Sequence, residues 1–84
     1  MGKKSKRKIM IIGAGGIGSF LIPLLDKTGL YNITVFDPDV VEIKNITYQN
    51  FDEGDIEKLK VDVMADRYSS VKAQPYKVLT SKQV

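Results

Sequence analysis

The sequence predicts an α/β fold, in which helices pack on a small parallel sheet in the order strand, helix, strand, helix, strand. Short apolar runs of strand length alternate with stretches whose apolar residues recur at helical spacing. Glycine- or proline-containing turns separate most of these segments. Such alternation implies parallel strands joined by right-handed crossovers. With 84 residues, of which 43% are apolar, the chain is long enough for one small domain.

The first strand and helix are predicted near the start of the chain. Residues 8–12 end in a continuous apolar run that stops at a glycine, which is typical of a short buried strand. From Ile17, apolar residues recur at positions 20, 21, 24 and 25, and this spacing places them on one face of a helix. Gly29 is suited to end the helix with a positive φ. Pro23 removes a backbone hydrogen bond and is expected to kink the helix.

The other elements are predicted from shorter patterns. Residues 33–36, β-branched and aromatic, predict a second strand that stops at the Asp-Pro-Asp turn of residues 37–39. Residues 40–51 predict a loop with one helical turn, and residues 76–79 predict a third strand that a proline opens. A second helix is predicted over about residues 55–68, with acidic residues clustered at its start. Its buried face would carry Ile56, Leu59, Val63 and Met64.

A glycine pattern joins the first strand to the first helix. Gly13, Gly15 and Gly18 fit G-x-G-x-x-G, in which the first glycine permits a sharp turn and the second lets a phosphate approach the backbone. The third lets helix and strand pack closely, and the helix start offers unpaired N–H groups to an anion. The pattern favours nucleotide binding by a Rossmann-like βαβαβ half, and tight packing alone is the alternative.

Asp37 is the acidic residue that this type of nucleotide site requires. It follows Gly18 by 19 positions and lies at the end of the second predicted strand, where a carboxylate accepts hydrogen bonds from ribose hydroxyls. The alternative is a turn residue placed before Pro38. Taken alone, these residues favour a nicotinamide or flavin dinucleotide.

Charge and composition exclude several classes of function. The formal net charge is +3, and five of the 13 basic residues lie among the first eight. Residues 1–7 are therefore predicted to be a basic, flexible and solvated leader, with contact to nucleic acid or a nuclear address as the alternative, and residues 8–84 one domain. The absence of cysteine and histidine excludes disulfides, thiolate metal sites and imidazole bases, so no metal ligands are predicted. No apolar run has membrane-spanning length, and a cytoplasmic protein without membrane contact is expected.

A longer pattern is more specific than the glycines. The stretches GAGGIGS, VFDPDVVEIKNITYQNF and DIEKLKV resemble the ThiF/MoeB family of adenylating enzymes, which includes the ubiquitin-activating enzymes. The resemblance covers the chain from residue 8 to about residue 79. The doubled glycine and following serine, the Asp-x-Asp-Val after the second strand, and the later asparagine, glutamine and lysine all match. The matching residues are Gly15, Gly16, Gly18, Ser19, Asp37, Asp39, Val40, Asn45, Gln49 and Lys60.

This resemblance implies ATP, not NAD, as the bound nucleotide. Members of the family transfer AMP to the C-terminal carboxylate of a ubiquitin-like or sulfur-carrier protein and release pyrophosphate. The residues implied to contact the nucleotide are Gly13, Gly15, Gly16, Gly18, Asp37, Asp39, Asn45, Gln49 and Lys60.

The resemblance also implies a role for each polar site residue. Asp37 would hold the ribose, and Asp39 would assist it or cap the following turn. Asn45 and Gln49 would contact ribose and phosphates, although Asn45 alone would be interpreted as a turn residue. Lys60 is the candidate catalytic residue, which supplies positive charge near the α-phosphate. Its alternative is a lysine whose stem covers the core.

Two departures limit what the resemblance implies. The family carries an arginine before Gln49, and this chain has Tyr48. The family's magnesium-binding aspartate follows the third strand, so magnesium is expected to be bound by residues outside this chain. Residues 8–84 are thus predicted to be the N-terminal half of a ThiF-type domain, inactive by itself, and a homodimer is left open. The alternatives are a dinucleotide-binding module and a non-catalytic nucleotide-binding scaffold.

Overall fold

The computed structural model describes residues 6–78 and contains one parallel sheet with helices on one of its faces. The spatial order of the strands is β1-β2-β3, so the central strand is the second in sequence. The α/β class and the Rossmann-like order of elements predicted from the sequence are confirmed. The elements are β1 (Arg7–Ile12), α1 (Gly16–Thr28), β2 (Tyr31–Phe36), α2 (Asn45–Tyr48), a 3₁₀ helix (Glu53–Asp55), α3 (Lys60–Arg67) and β3 (Val71–Gln74).

The core lies between the sheet and the two longer helices. In the register of the sheet, Ile33 of β2 pairs with Ile9 of β1 and with Val71 of β3. Because side chains alternate along a strand, Ile33 and Val35 of β2 point to the same face of the sheet. They are buried there with Ile22 of α1 and Met64 of α3. Residues of the opposite face are more exposed; Met10, for example, is 63% exposed.

Helix α1 buries a different face from the predicted one. It continues through Pro23 and ends at Gly29, whose φ of 69° confirms the predicted C-terminus. Its buried residues are Ser19 and Ile22, whereas the predicted apolar face, which includes Ile17, is mostly exposed. The cause is the close approach of Gly18 to the backbone of Gly13, which turns the side of α1 that carries Gly18, Ser19 and Ile22 inward. The spacing identified an apolar stripe but could not show what that stripe faces.

The second predicted helix begins later than expected. The helix α3 starts at Lys60. The acidic cluster before it forms the 3₁₀ helix, which is capped by a reciprocal pair of hydrogen bonds between Asp52 and Asp55. Between the two helices the chain runs antiparallel to the segment after β2, with a bridge between Val40 and Leu59. This tertiary pairing replaces the helical turn that the local sequence predicts, and it fixes where α3 begins.

The third predicted strand is also displaced. β3 spans Val71–Gln74 and pairs with β2, whereas the prediction placed it at residues 76–79, of which residue 79 lies outside the described residues. Pro75 follows the strand instead of opening it, since a proline cannot donate the next ladder hydrogen bond. Within residues 6–78, no helix combines the length and the apolar character that crossing a bilayer requires.

Glu57 has an unfavourable backbone conformation. Its φ is 74°, a region that disfavours side chains bearing a Cβ, and its N–H donates to the carbonyl of Val41 at 2.8 Å. We expect Glu57→Gly to raise the free energy of unfolding by about 1 kcal/mol, because glycine adopts this φ without strain. Chemical denaturation measures the change. The matched variant Glu53→Gly, in the 3₁₀ helix, should stabilise nothing, and an equal gain there would contradict the explanation.

Candidate functional site

The glycine turn is held tightly between β1 and α1. Gly13 has a φ of 97°, and its N–H donates to the carbonyl of Phe36 at 2.8 Å, at the end of the neighbouring strand. A Cβ at Gly18 would lie only 2.0 Å from the carbonyl oxygen of Gly13. Glycine is therefore required at position 13 by the backbone conformation and at position 18 by the close contact with backbone.

The start of α1 offers free backbone donors at this turn. The helix begins at Gly16 after Gly15, no side chain caps it, and its first turn holds no acidic residue. The first N–H groups of a helix have no partner within the helix. In α1 the first helical hydrogen bond runs from the N–H of Ser19 to the carbonyl of Gly15 at 2.8 Å, so the N–H groups before Ser19 are the ones left without a helical partner. A helix end with these properties is suited to an anion.

Asp37 connects the glycine turn with the turn after β2. It is 7% exposed; its Oδ2 accepts from the N–H of Ala14 at 2.7 Å and its Oδ1 accepts from the N–H of Asp39 at 2.8 Å. The carboxylate therefore takes part in the Asp-Pro-Asp turn and also reaches the glycine turn. Each carboxylate oxygen can accept more than one hydrogen bond, so capacity for a ligand donor remains.

Lys60 is joined by its backbone to the turn that follows Asp37. Its N–H donates to the carbonyl of Asp39 at 3.0 Å, and the residue is only 6% exposed. The exposed Asp39 thus contributes its backbone to the site. The ion pairs found within residues 6–78 involve Lys44 and Arg67 and do not include Lys60. A buried ammonium without a carboxylate partner in this part of the chain is a favourable place for an anion.

Asn45 and Gln49 lie at the two ends of the short helix α2. Asn45 is 7% exposed, its Oδ1 accepts from the N–H of Glu42 at 2.8 Å, and its carbonyl accepts from the N–H of Gln49 at the same distance. The side chain of Gln49 lies against the glycine turn, since a Cβ at Gly15 would be 3.3 Å from its Nε2. Its buried Oε1 has no hydrogen-bond partner among the described residues, which is unusual for a buried oxygen.

Tyr48 lies on the outer side of α1. It is 79% exposed, beside Gly16 and the apolar residues of the helix, which were predicted to be buried. Together they line an open depression of about 450 Å³. Its lining residues are Gly16, Ile17, Phe20, Leu21, Leu24 and Tyr48.

Asn50 was not identified from the sequence, yet it attaches this loop to α1. Its Nδ2 donates to the carbonyl of Ser19 at 3.0 Å, and its N–H donates to the Oγ of Ser19 at 2.9 Å. The only signal in the sequence is Pro23, which leaves the carbonyl of Ser19 without its helical donor. No cluster of three or more acidic side chains that could hold a metal ion is found within residues 6–78.

The hydrogen bonds of Asp37 provide a test of its structural part. We expect Asp37→Asn to lower the free energy of unfolding by about 1–3 kcal/mol, because an amide nitrogen would face one of the two backbone N–H donors. Thermal unfolding measures the loss. Asp39→Asn is the matched control, since the Asp39 side chain is exposed and should change stability by less than about 0.5 kcal/mol. Equal effects of the two variants would contradict this account.

Comparison with known sequences finds one family over most of the chain. The model of the ThiF family matches residues 2–78. The catalytic subunit of the NEDD8-activating enzyme E1 of Caenorhabditis elegans is 41% identical over 59 residues, which cover 69% of this chain and 14% of the relative. The adenylyltransferase and sulfurtransferase UBA4 of Yarrowia lipolytica is 38% identical, over 75% of this chain and 16% of its own length.

Solved structures of similar fold include complexes with nucleotides. The Escherichia coli tRNA N6-threonylcarbamoyladenosine dehydratase in complex with ATP superposes with a TM-score of 0.80 at 29% identity, over 86% of this chain and 32% of the other. Escherichia coli MccB with ATP gives a TM-score of 0.78 at 31% identity, over 88% of this chain and 24% of the other. The chain thus spans a third or less of the length of these relatives.

Proposed function

This chain belongs to the ThiF family, and on that basis we propose that it is the ATP-binding segment of an adenylyltransferase. The proposed acceptor is the C-terminal carboxylate of a ubiquitin-like or sulfur-carrier protein, which becomes an acyl-adenylate. The names of the relatives, an activating enzyme for NEDD8 and an adenylyltransferase, support this proposal. The complexes of similar structures with ATP support the choice of nucleotide.

The observation that carries the proposal is that several groups able to bind parts of a nucleotide lie at the end of the sheet where the glycine turn and the Asp-Pro-Asp turn meet. The uncapped start of α1 and the buried Lys60 are suited to phosphate, and Asp37 is suited to the ribose hydroxyls. The Oε1 of Gln49, which has no hydrogen-bond partner within residues 6–78, needs a donor, which a ribose hydroxyl supplies and a phosphate does not. These groups differ in chemistry in the way that a nucleotide requires, so the residues present fit ATP.

In the proposed reaction, a carboxylate oxygen of the acceptor bonds to the α-phosphorus, and the bond to the leaving pyrophosphate breaks. Gly15 and Gly16 present backbone donors to the phosphates, while Asp37 and Gln49 hold the ribose. Lys60 places positive charge where negative charge develops. Asn45 acts mainly by shaping α2, because its side-chain oxygen is bound to the backbone of its own loop.

Several parts of the proposal concern groups beyond these residues. Magnesium would be held by residues outside this chain, and the segment alone would not complete the reaction. Cytoplasmic location and a homodimer remain predictions. The acceptor requires its own test, because relatives are named for other substrates, including tRNA, and MccB was also solved with MccA.

Calorimetric titration with ATP and with NAD tests the nucleotide. We expect the 84-residue chain to bind ATP and not NAD. Binding of NAD alone would favour the dinucleotide-binding module and contradict the proposal. No binding of either nucleotide by the folded chain would favour a scaffold without a nucleotide site. Folding is checked in each case by circular dichroism.

The residue at position 48 gives a sharper prediction. Tyr48→Arg should raise the affinity for ATP by about tenfold, because a guanidinium beside Gly16 adds charge-assisted hydrogen bonds to phosphate. Tyr48→Phe should leave the affinity unchanged, since the exposed phenol lies outside the polar site. Fluorescence titration with an ATP analogue measures both. A large loss in the phenylalanine variant, with no gain from arginine, would show that the tyrosine has a function of its own.

A further inference from the structure

Two residues of α1 and one residue 31 positions after Ser19 meet at one buried carbonyl. Pro23 has no N–H, so the carbonyl of Ser19, four residues earlier, lacks its usual donor within α1. The side chain of Asn50 supplies that donor at 3.0 Å, and its backbone N–H donates to the Ser19 hydroxyl at 2.9 Å. Ser19 is fully buried, and a carbonyl left unpaired there would destabilise the fold.

We infer that Pro23, Ser19 and Asn50 together position Gln49 for the nucleotide. The two hydrogen bonds between Asn50 and Ser19, with the proline that leaves the Ser19 carbonyl available, are called the staple. This inference rests on the proposed function. Asn50 is a positioning residue, since it acts through its neighbour Gln49. The proline, which the sequence pattern alone marks as a defect in a helix, is the part that makes the carbonyl available.

Gln49 is fixed from both sides by the surrounding backbone. Its N–H donates to the carbonyl of Asn45, and its own carbonyl accepts from the N–H of Phe51 at 2.9 Å. Phe51 is 4% exposed and belongs to the core, so it anchors the far side of the loop. The staple holds Asn50 between these two points, and the amide of Gln49 then lies against Gly15.

The staple also reaches the start of α1. The Ser19 hydroxyl accepts from the Asn50 N–H and donates to the carbonyl of Gly16 at 3.2 Å. One side chain therefore connects the loop that carries Gln49 with the helix turn that presents N–H groups to phosphate. Loss of the staple should misplace the loop relative to that turn.

Substitution of the proline gives a specific test. In Pro23→Ala the new N–H can donate to the Ser19 carbonyl, so this carbonyl no longer depends on the side chain of Asn50. We expect Asn50→Ala to lower the Tm of the 84-residue chain by about 4–8 °C when Pro23 is present, and by less than half of that in Pro23→Ala. The loss of Tm in the double variant should then be smaller than the sum of the losses in the two single variants. Equal shifts in both backgrounds would overturn the staple.

Asn32→Ala is the matched control for the double-mutant cycle of Pro23→Ala and Asn50→Ala. Asn32 is exposed on β2, away from Ser19, and its substitution should give the same small shift in both backgrounds. A difference between backgrounds for Asn32 as large as that for Asn50 would show that Pro23→Ala changes the whole fold, and it would also overturn the inference.

A second double-mutant cycle tests whether Asn50 affects ATP binding by positioning Gln49 or only stabilises the fold. Asn50→Ala should weaken ATP binding by about tenfold, but it should change little when added to Gln49→Ala, because its effect passes through that side chain. Additive losses in ATP affinity would overturn the positioning role. If the natural chain binds no nucleotide, the proposed function fails together with this role, and the Tm cycle still decides whether the staple exists. If ATP binds and both cycles are additive, only this inference fails.

Discussion

Replacement of Gly18 by alanine is expected to prevent this chain from folding. The added Cβ would lie 2.0 Å from the carbonyl oxygen of Gly13, and its next neighbour would be the carbonyl carbon at 3.1 Å. No side-chain rotation relieves a contact with backbone, so either α1 or the turn must move. We expect a loss of more than about 4 kcal/mol, close to the whole stability of a small domain.

Gly16→Ala is the matched control for that prediction. Gly16 is the first residue of the same helix, its φ is not positive, and a Cβ there would meet no atom within 4 Å. This variant should be neutral or gain up to about 1 kcal/mol, because alanine favours the helix. Circular dichroism and thermal unfolding compare the two. A cooperative transition of Gly18→Ala at the temperature found for Gly16→Ala would contradict the close contact.

Lys60→Met is expected to lower the affinity for ATP by about ten- to a hundredfold, the effect of losing a charge-assisted hydrogen bond. The affinity for adenosine, which lacks phosphate, should change little. Stability should be kept or raised, because an apolar side chain of similar length replaces a buried ammonium that forms no ion pair with the described residues. Titration with both ligands, together with thermal unfolding, measures these three quantities.

Lys58→Met provides the control for the loss of one positive charge. Lys58 is exposed, two residues before Lys60, and its backbone takes part in the same antiparallel segment. It should alter the affinity for ATP by less than twofold, as a single screened surface charge does. Equal losses for ATP and adenosine in Lys60→Met, or equal losses in both lysine variants, would contradict a phosphate contact of Lys60.

The elements nearest the glycine turn could be predicted from sequence. β1, α1 and β2 each follow a strong local pattern, and the end of α1 at Gly29 needs only a glycine with positive φ. The position of Asp37 at the end of β2 also follows, because the residue comes directly after the strand. These inferences depend on a few residues that are adjacent in sequence, where local chemistry decides the structure.

Tertiary contacts decided the features that could not be predicted. The bridge between Val40 and Leu59 delays the start of α3, and pairing with β2 selects Val71–Gln74 over the more apolar segment that follows. Asn50 carries no local signal at all. Its partner Ser19 lies 31 residues earlier, and only a complete account of the donors missing from α1 would have pointed to it.

Asp37 has a further consequence for how a ligand would enter the site. Its carboxylate joins Ala14 to Asp39, and the carbonyl of Asp39 accepts from the N–H of Lys60, so the glycine turn, the Asp-Pro-Asp turn and the start of α3 are connected before any ligand is bound. Binding to such a preorganised site does not have to order the chain, and the associated loss of conformational entropy is small. If ATP binds here as proposed, we expect its association rate to be set mainly by diffusion and charge attraction.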